Sequence, residues 1–208
     1  MDLNKFFEDL ASRKPVPGGG SASCVAAAMA AALLEMVAQL SIGRSGDETL
    51  DEQFEKILSG TRELKPRLFR LAEQDAAGYM RVMEAFKLPK NTAEEKAKRS
   101  QAIQRAFEGA IATPLALLQE TLTLAQWSAY TLEKGNVNAF SDAGVAYHLI
   151  RTAFEGGKMN VLINLESLKD KEVKRGYMEK LNKLEKTFDE KRQEIEKRME
   201  TWTSKILL

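Results

Sequence analysis

The sequence predicts an all-α protein, a bundle of long antiparallel helices around one buried alanine-rich helix. Two observations carry that reading. Apolar residues recur at three- and four-residue intervals through most of the 208 residues, the period of one face of a helix. The stretch from Ala22 to Leu40 is instead apolar all round and built mostly of alanine, which suits a helix enclosed by its neighbours. A chain of this length fits a single helical domain over residues 1–208, with ample material for a continuous core.

The elements follow in order. Leu3, Phe6, Phe7 and Leu10 share one face of a short amphipathic helix, which the run KPVPGGG from Lys14 to Gly20 ends. Ser21 is placed to cap the next helix, roughly Ser21 to Ser41, the enclosed centre of the bundle. After the polar break IGRSGDETL a long periodic segment runs through Leu50, Phe54, Leu64, Leu68, Leu71, Asp75, Tyr79, Val82 and Phe86, with Pro66 as a point of kinking or division. Thr92 and Glu95 have the spacing of a capping box and restart a helix whose buried face includes Ile103, Phe107, Ile111, Leu118 and Leu122. Pro114 is a second expected kink, and Gly135 an expected left-handed cap. A helix from about Ala143 to Phe154 follows, then a separate short element in GGKMNVLINL. From about Lys171 a charged helix carries one narrow apolar seam through Val173, Tyr177, Leu181, Leu184, Phe188, Ile195, Met199 and Trp202, suited either to the bundle or to a second subunit.

Composition narrows the function. Lys and Arg total 31 against 30 Asp and Glu, so the net charge of +1 supplies no field to draw a phosphate backbone or an anionic membrane. Neither nucleic acid nor a membrane is expected as a partner. The lone cysteine, Cys24, cannot close an internal disulfide, and MDLNKFFEDL lacks the layout of a signal peptide, so a cytoplasmic location is expected. Ser23, Glu35 and Gln39 within the alanine stretch favour a buried helix over a membrane span. With His148 as the single histidine, a multi-histidine metal site is excluded, and no metal is expected.

Several polar residues stand out. Asp75 occupies a seam position where an aliphatic residue belongs, and a carboxylate placed there must be paired, hydrogen-bonded, protonated or functional. The residue alone leaves a structural role, as a salt bridge or a hydrogen bond to a neighbouring helix, and a functional role equally open. Gly18, Gly19 and Gly20 with Ser21 put backbone N–H groups at a helix start, a geometry suited to carboxylate or carbonyl oxygens, although the GK[ST] of a Walker loop is missing. Asn136, Asn138, Ser141 and Asp142 gather before a helix, where ordinary capping and turn roles compete with ligand binding. Asn160 and Asn164 share a face if their segment is helical. Arg44 follows the buried helix, where it either holds a substrate carboxylate or complements the helix dipole.

Taken in order, PVPGGGSAS, LSIGR, LAEQDAAGY, LPKNTAEEK, ATPLAL, GNVNAFSDAGVA and NVLINL resemble the cyclodeaminase domain of formiminotransferase-cyclodeaminase and its stand-alone relatives, the methenyltetrahydrofolate cyclohydrolases. The resemblance runs from about Phe6 to Leu168, and the C-terminal helix carries no distinctive motif. It implies an all-helical, usually dimeric enzyme acting on a one-carbon unit held by two nitrogens of tetrahydrofolate. Hydrolysis of methenyltetrahydrofolate to formyltetrahydrofolate is the expected reaction. Closure of formiminotetrahydrofolate with loss of ammonia is the alternative, and a non-catalytic folate-binding protein a further one.

The resemblance also implies a folate substrate with one or more glutamates in its tail, a homodimer, and no permanently bound cofactor. Both reactions pass through a cationic amidinium carbon, which a poorly solvated carboxylate stabilises. Asp75 or Asp142 is then expected to position water or protonate ammonia, across one shared pocket. The asparagines and Ser141 would orient the pterin, the GGGS turn a carbonyl or glutamate oxygen, and Arg44 the glutamate tail.

Overall fold

The computed structural model describes residues 1–206. It contains α1 (Leu3–Leu10), α2 (Gly19–Gln39), α3 (Glu48–Lys87), α4 (Ala93–Lys134), α5 (Phe140–Glu166) and α6 (Lys171–Ile206), with one 3₁₀ turn at Val137–Ala139. No strand occurs among the described residues. α2 packs extensively against α3 and α5 and more lightly against α4; α4 packs on α3 and α5; α6 lies mainly on α4.

Helix starts are set by local side chains. The Asp2 carboxylate accepts from the N–H groups of Asn4 and Lys5, and that of Asp47 from Thr49 and Leu50. The expected capping box at Thr92 and Glu95 is formed, with both reciprocal bonds present. Neither proline divides its helix: α3 continues through Pro66 for 40 residues and α4 through Pro114 for 42. Packing along such lengths outweighs the roughly 3 kcal/mol that one internal proline costs.

Two expectations fail for the same reason, that glycine here serves close approach. The chain from Phe140 to Glu166 is one uninterrupted helix, with no separate element after Phe154. A Cβ at Gly156 would lie 2.1 Å from the Ser23 hydroxyl, and one at Gly157 3.1 Å from Leu118, so these glycines let α2 and α4 press against α5. Gly135 is extended (φ −73°, ψ 174°) where a left-handed cap was expected. A Cβ there would lie 2.4 Å from the Thr131 carbonyl oxygen.

α2 forms the centre, with Ala27, Ala30, Ala31, Leu34, Val37 and Ala38 fully buried. Its enclosure is incomplete, because Met29, Met36 and Leu40 remain 36–49% exposed along one face. It has the length and mean hydropathy (1.8) of a membrane span, yet it lies packed among helices of the bundle. Glu35, its one charged residue, meets Arg62 at 3.3 Å and Lys65, both from α3.

The α6 seam packs on the bundle. Leu181, Phe188 and Ile195 are buried, Phe188 stacks on Phe154 with ring centroids 3.9 Å apart, and Trp202 stacks on Phe140 at 4.4 Å. Replacing Phe188 by alanine removes a fully enclosed aromatic and is expected to lower the unfolding free energy by about 3–5 kcal/mol, measured by urea denaturation. A loss below 1 kcal/mol, on the order of a surface change, would mean that α6 is not integral to the core.

Candidate functional site

The site is built where the start of α2 meets α3 and α5. Gly18 precedes the helix in extended conformation and supplies no side-chain cap. In the position a cap would take stands Asp75, which reaches across from α3: a Cβ at Gly20 would lie 2.3 Å from its Oδ1. Glycine is required at position 20 because the carboxylate fills the space beside it. The carboxylate also lies at the positive end of the α2 dipole.

Ser21 does not cap the helix, since it already lies within the first turn of α2. It is 1% exposed, and its Oγ is 3.0 Å from Asp75 Oδ2 and 3.0 Å from the Ala72 carbonyl oxygen. Its partner is thus the carboxylate, and it is absent from the lining of the adjoining cavity.

Among the described residues no cation pairs with Asp75, which removes the structural salt bridge, whereas the hydrogen bond to a neighbouring helix is formed, from Ser21 of α2. Burial pushes its carboxyl above the usual carboxylate range, with the hydrogen bonds from Ser21 acting in the opposite sense. The carboxylate borders a cavity of about 370 Å³. Gly18, Gly19 and Gly20 line one side, Tyr79, Val82, Met83 and Phe86 of α3 and Phe107 of α4 form an apolar wall, and Asn160, Ile163 and Asn164 of α5 close another side. Phe86 and Phe107 meet edge to face at 6.1 Å, and the Arg99 guanidinium lies 5.5 Å from the Phe86 ring centre while donating to the Phe86 carbonyl.

Asn160 and Asn164 share a helix face as expected. Their amide nitrogens donate to backbone, Asn160 to the Gly156 carbonyl at 2.8 Å and Asn164 to the Asn160 carbonyl at 2.8 Å. Their carbonyl oxygens remain available as acceptors. A broad apolar wall facing a carboxylate and two amide oxygens suits a flat heteroaromatic ligand that carries positive charge or N–H groups.

The second predicted cluster lies elsewhere. Asp142 and Asn160 ride the same uninterrupted helix, so at 1.5 Å per residue they stand about 27 Å apart along its axis. Asp142 is therefore no companion of Asp75 within one subunit, and Ser141, exposed on the same end of α5, is equally distant. Arg44 and Asn136 line a separate surface depression at the far end of α2. Asn136 serves the backbone there: its amide donates to the Leu40 carbonyl at 3.0 Å and its oxygen accepts from the Asn138 N–H at 3.0 Å. Asn138 is exposed.

His148 is exposed on α5, and no group of three His, Cys, Asp or Glu side chains is placed to hold a metal among the described residues. The Cys24 thiol is pushed up to about 12 by burial and by Asp75, which leaves it inert as a nucleophile. Sequence reasoning missed the apolar wall. Tyr79, Phe86 and Phe107 have core spacing, but Tyr79 and Phe86 are 40% and 44% exposed because they face the cavity. Periodicity cannot separate a wall from a core.

Comparison with known proteins fits this geometry to a family. The family model for formiminotransferase-cyclodeaminase matches residues 2–183. The chain belongs to that family. Within it, the chain is 34% identical over 204 residues to the methenyltetrahydrofolate cyclohydrolase of Methylorubrum extorquens, covering 98% of this chain and 97% of that protein. It is 35% identical over 170 residues to the formimidoyltransferase-cyclodeaminase of Mus musculus, of which it spans only 31%. The crystal structure of formiminotetrahydrofolate cyclodeaminase from Thermotoga maritima has the same fold, with a TM-score of 0.88, 32% identity and 98% of each chain covered.

Two stability measurements test the local geometry. Gly20→Ala forces a methyl against the Asp75 carboxylate and is expected to cost about 1–3 kcal/mol, while Gly18→Ala, which meets nothing within 4 Å, stays near wild type in the same denaturation series. Folding raises the Asp75 pKa, so its contribution to stability is full below the unfolded-state pKa and lost as pH rises through the folded value. Asp75→Asn should then melt no lower than wild type at neutral pH, and its relative advantage should shrink as pH falls through the carboxylate range. A clearly lower melting temperature at neutral pH would show that the charged carboxylate is there for stability.

Proposed function

We propose that this chain is a cytoplasmic methenyltetrahydrofolate cyclohydrolase that opens the methenyl bridge with water to give formyltetrahydrofolate. The observation that carries the reading is the Asp75 carboxylate, unpaired by any described cation and bordering a cavity with an aromatic wall. The near-full-length likeness to a cyclohydrolase supports it.

The substrate carbon is an amidinium cation between two nitrogens. With the pterin against Tyr79, Phe86 and Phe107, the cation faces Asp75, whose negative charge lowers the energy of bound cation and attacking water alike. Asp75 takes a proton as water adds to the carbon. Collapse to the formyl C=O then breaks one C–N bond, the departing nitrogen takes the proton from Asp75, and the remaining hydroxyl proton passes to solvent. A carboxyl with a raised pKa suits both halves of this exchange. Asn160 and Asn164 accept from the N–H groups of the ring.

A second reading, formiminotetrahydrofolate cyclodeaminase, has the support of the Thermotoga maritima enzyme of equal extent. There Asp75 as an acid would protonate departing ammonia.

The enzyme is proposed to work as a homodimer. α2 and α5 run antiparallel, with Gly19 beside Asn160 at one end and Ser41 accepting from the Asn136 N–H at the other, and carry exposed apolar residues along their lengths: Met29 and Met36 on α2 with Leu40 at its C-terminal cap, and Val145, Met159 and Ile163 on α5, with Met159 70% and Ile163 61% exposed. A second copy docked antiparallel on this face would cover them. That arrangement would bring its Arg44, Asn138, Ser141 and Asp142 towards the rim of the Asp75 cavity, with a cation for the glutamate tail and a second carboxylate for the amidinium. The parallel arrangement would instead set like ends together and leave Asp75 without a cation at the rim.

Purified protein supplied with methenyltetrahydrofolate should speed loss of the methenyl absorbance above the spontaneous rate. Ammonia release with rising absorbance from formiminotetrahydrofolate would establish the second reading, and binding without turnover would reject both. Asp75→Asn and Asp142→Asn should each lower turnover by about a hundredfold or more with helical circular dichroism unchanged. Met159→Asp should produce monomers by sedimentation with a comparable loss, and wild-type activity in a monomer would sink the shared site.

A further inference from the structure

We propose that the Ser21 hydroxyl is a two-position switch that keeps Asp75 hydrogen-bonded both as a carboxylate and as a carboxylic acid. The inference rests on the reading of Asp75 as the proton-handling group. The Ser21 Oγ stands at equal distance, 3.0 Å, from two acceptors, Asp75 Oδ2 and the Ala72 carbonyl oxygen. A hydroxyl has one proton and two lone pairs, so it cannot donate to both at once.

The two arrangements match the two states of the carboxyl. With Asp75 ionised, the Ser21 proton points to Oδ2. With Asp75 protonated, Oδ2–H donates to Oγ, and the Ser21 proton turns to the Ala72 carbonyl. That carbonyl lies inside α3, where one lone pair serves the helix ladder and the second is free for Ser21. One rotation about the Cβ–Oγ bond therefore accompanies proton gain or loss, and no buried polar atom is orphaned in either state. At 1% exposure Ser21 has no solvent partner of its own, so its proton goes to one of these two acceptors.

The surroundings leave the role to Ser21 alone. From α2, Cys24 faces Asp75 as a neutral thiol. On α3 the nearest titratable neighbour lining the cavity is Tyr79, and on α5 it is Glu166, while α4 contributes Phe107 and Ala110 and the preceding loop Pro15 and Val16. No side chain other than Ser21 donates to the Asp75 carboxylate among the described residues. Ser21 is thus a positioning residue that acts through Asp75, in place of the substrate-binding role its position in the glycine turn suggests.

The test is a titration of Asp75 in the unliganded protein, followed by carboxyl ¹³C chemical shift and assigned by loss of the signal in Asp75→Asn. Ser21→Ala should raise the midpoint by about one pH unit, because the charge-assisted bond that the ionised form loses is stronger than the neutral bond that the acid form loses. Ser21→Thr, which restores a hydroxyl, should bring it back. The acid limb of kcat should move with the midpoint in Ser21→Ala, with kcat reduced about tenfold and KM within about twofold. An unchanged midpoint in Ser21→Ala, or a loss confined to KM, would overturn the switch. Infrared difference spectra of the wild-type protein give a reading that needs no serine variant: the protonated Asp75 carbonyl stretch should be that of a hydrogen-bonded acid, and a free-acid band would overturn the proposal. If the midpoint shifts as stated while wild-type protein turns over no folate, the switch stands and the folate reading falls.

Discussion

The close approach of α2 to its neighbours is the constraint on which the rest of the molecule depends. Alanine at positions 27, 30 and 31 and glycine at positions 20, 156 and 157 remove the side-chain volume that would hold α3, α4 and α5 away. Each small residue gives up some apolar area of its own, and the helices recover it by sinking the larger side chains of their partners, such as Leu68, Ile111 and Leu118, to full burial. The same approach brings the carboxylate of one helix to the first turn of another. A larger residue at position 20 would disturb packing and site together, because one contact serves both.

That contact explains why Asp75 is tolerated in an otherwise apolar helix face. The start of α2 has N–H groups to satisfy and no capping side chain of its own, and a carboxylate there meets a positive dipole end and a hydroxyl donor. Burial opposes these effects and holds the carboxyl above its ordinary range. The same carboxylate faces the first turn of α2 on one side and the cavity on the other.

Much of this was legible in the sequence. The all-helical class followed from periodicity, the capping box from Thr92 and Glu95, and the shared face of Asn160 and Asn164 from their four-residue spacing. The link between Asp75 and the glycine turn was visible only as two separate oddities, since nothing local joins residues so distant in the chain. Gly135, Gly156 and Gly157 look like breaks because the sequence shows that glycine is present but hides the neighbour that needs the room. Motif order pairs Asp142 with Asp75 but says nothing about which end of a helix a motif occupies, so it hides that the two stand far apart within one subunit. The exposed stripe on α2 was hidden by alanine, which looks alike on enclosed and open faces.

The unbroken course of α5 has a consequence for how this chain can change. One rod carries Asn160 and Asn164 at one end and Ser141 and Asp142 at the other, so its residue count is a ruler between the two ends. Inserting or deleting a single residue within it would turn everything beyond by about 100° and break the register with Ser23 and Leu118. The segments between α2 and α3, α3 and α4, and α5 and α6 carry no such measure. Length variation is therefore expected to gather in those connections, while α5 drifts in composition at constant length.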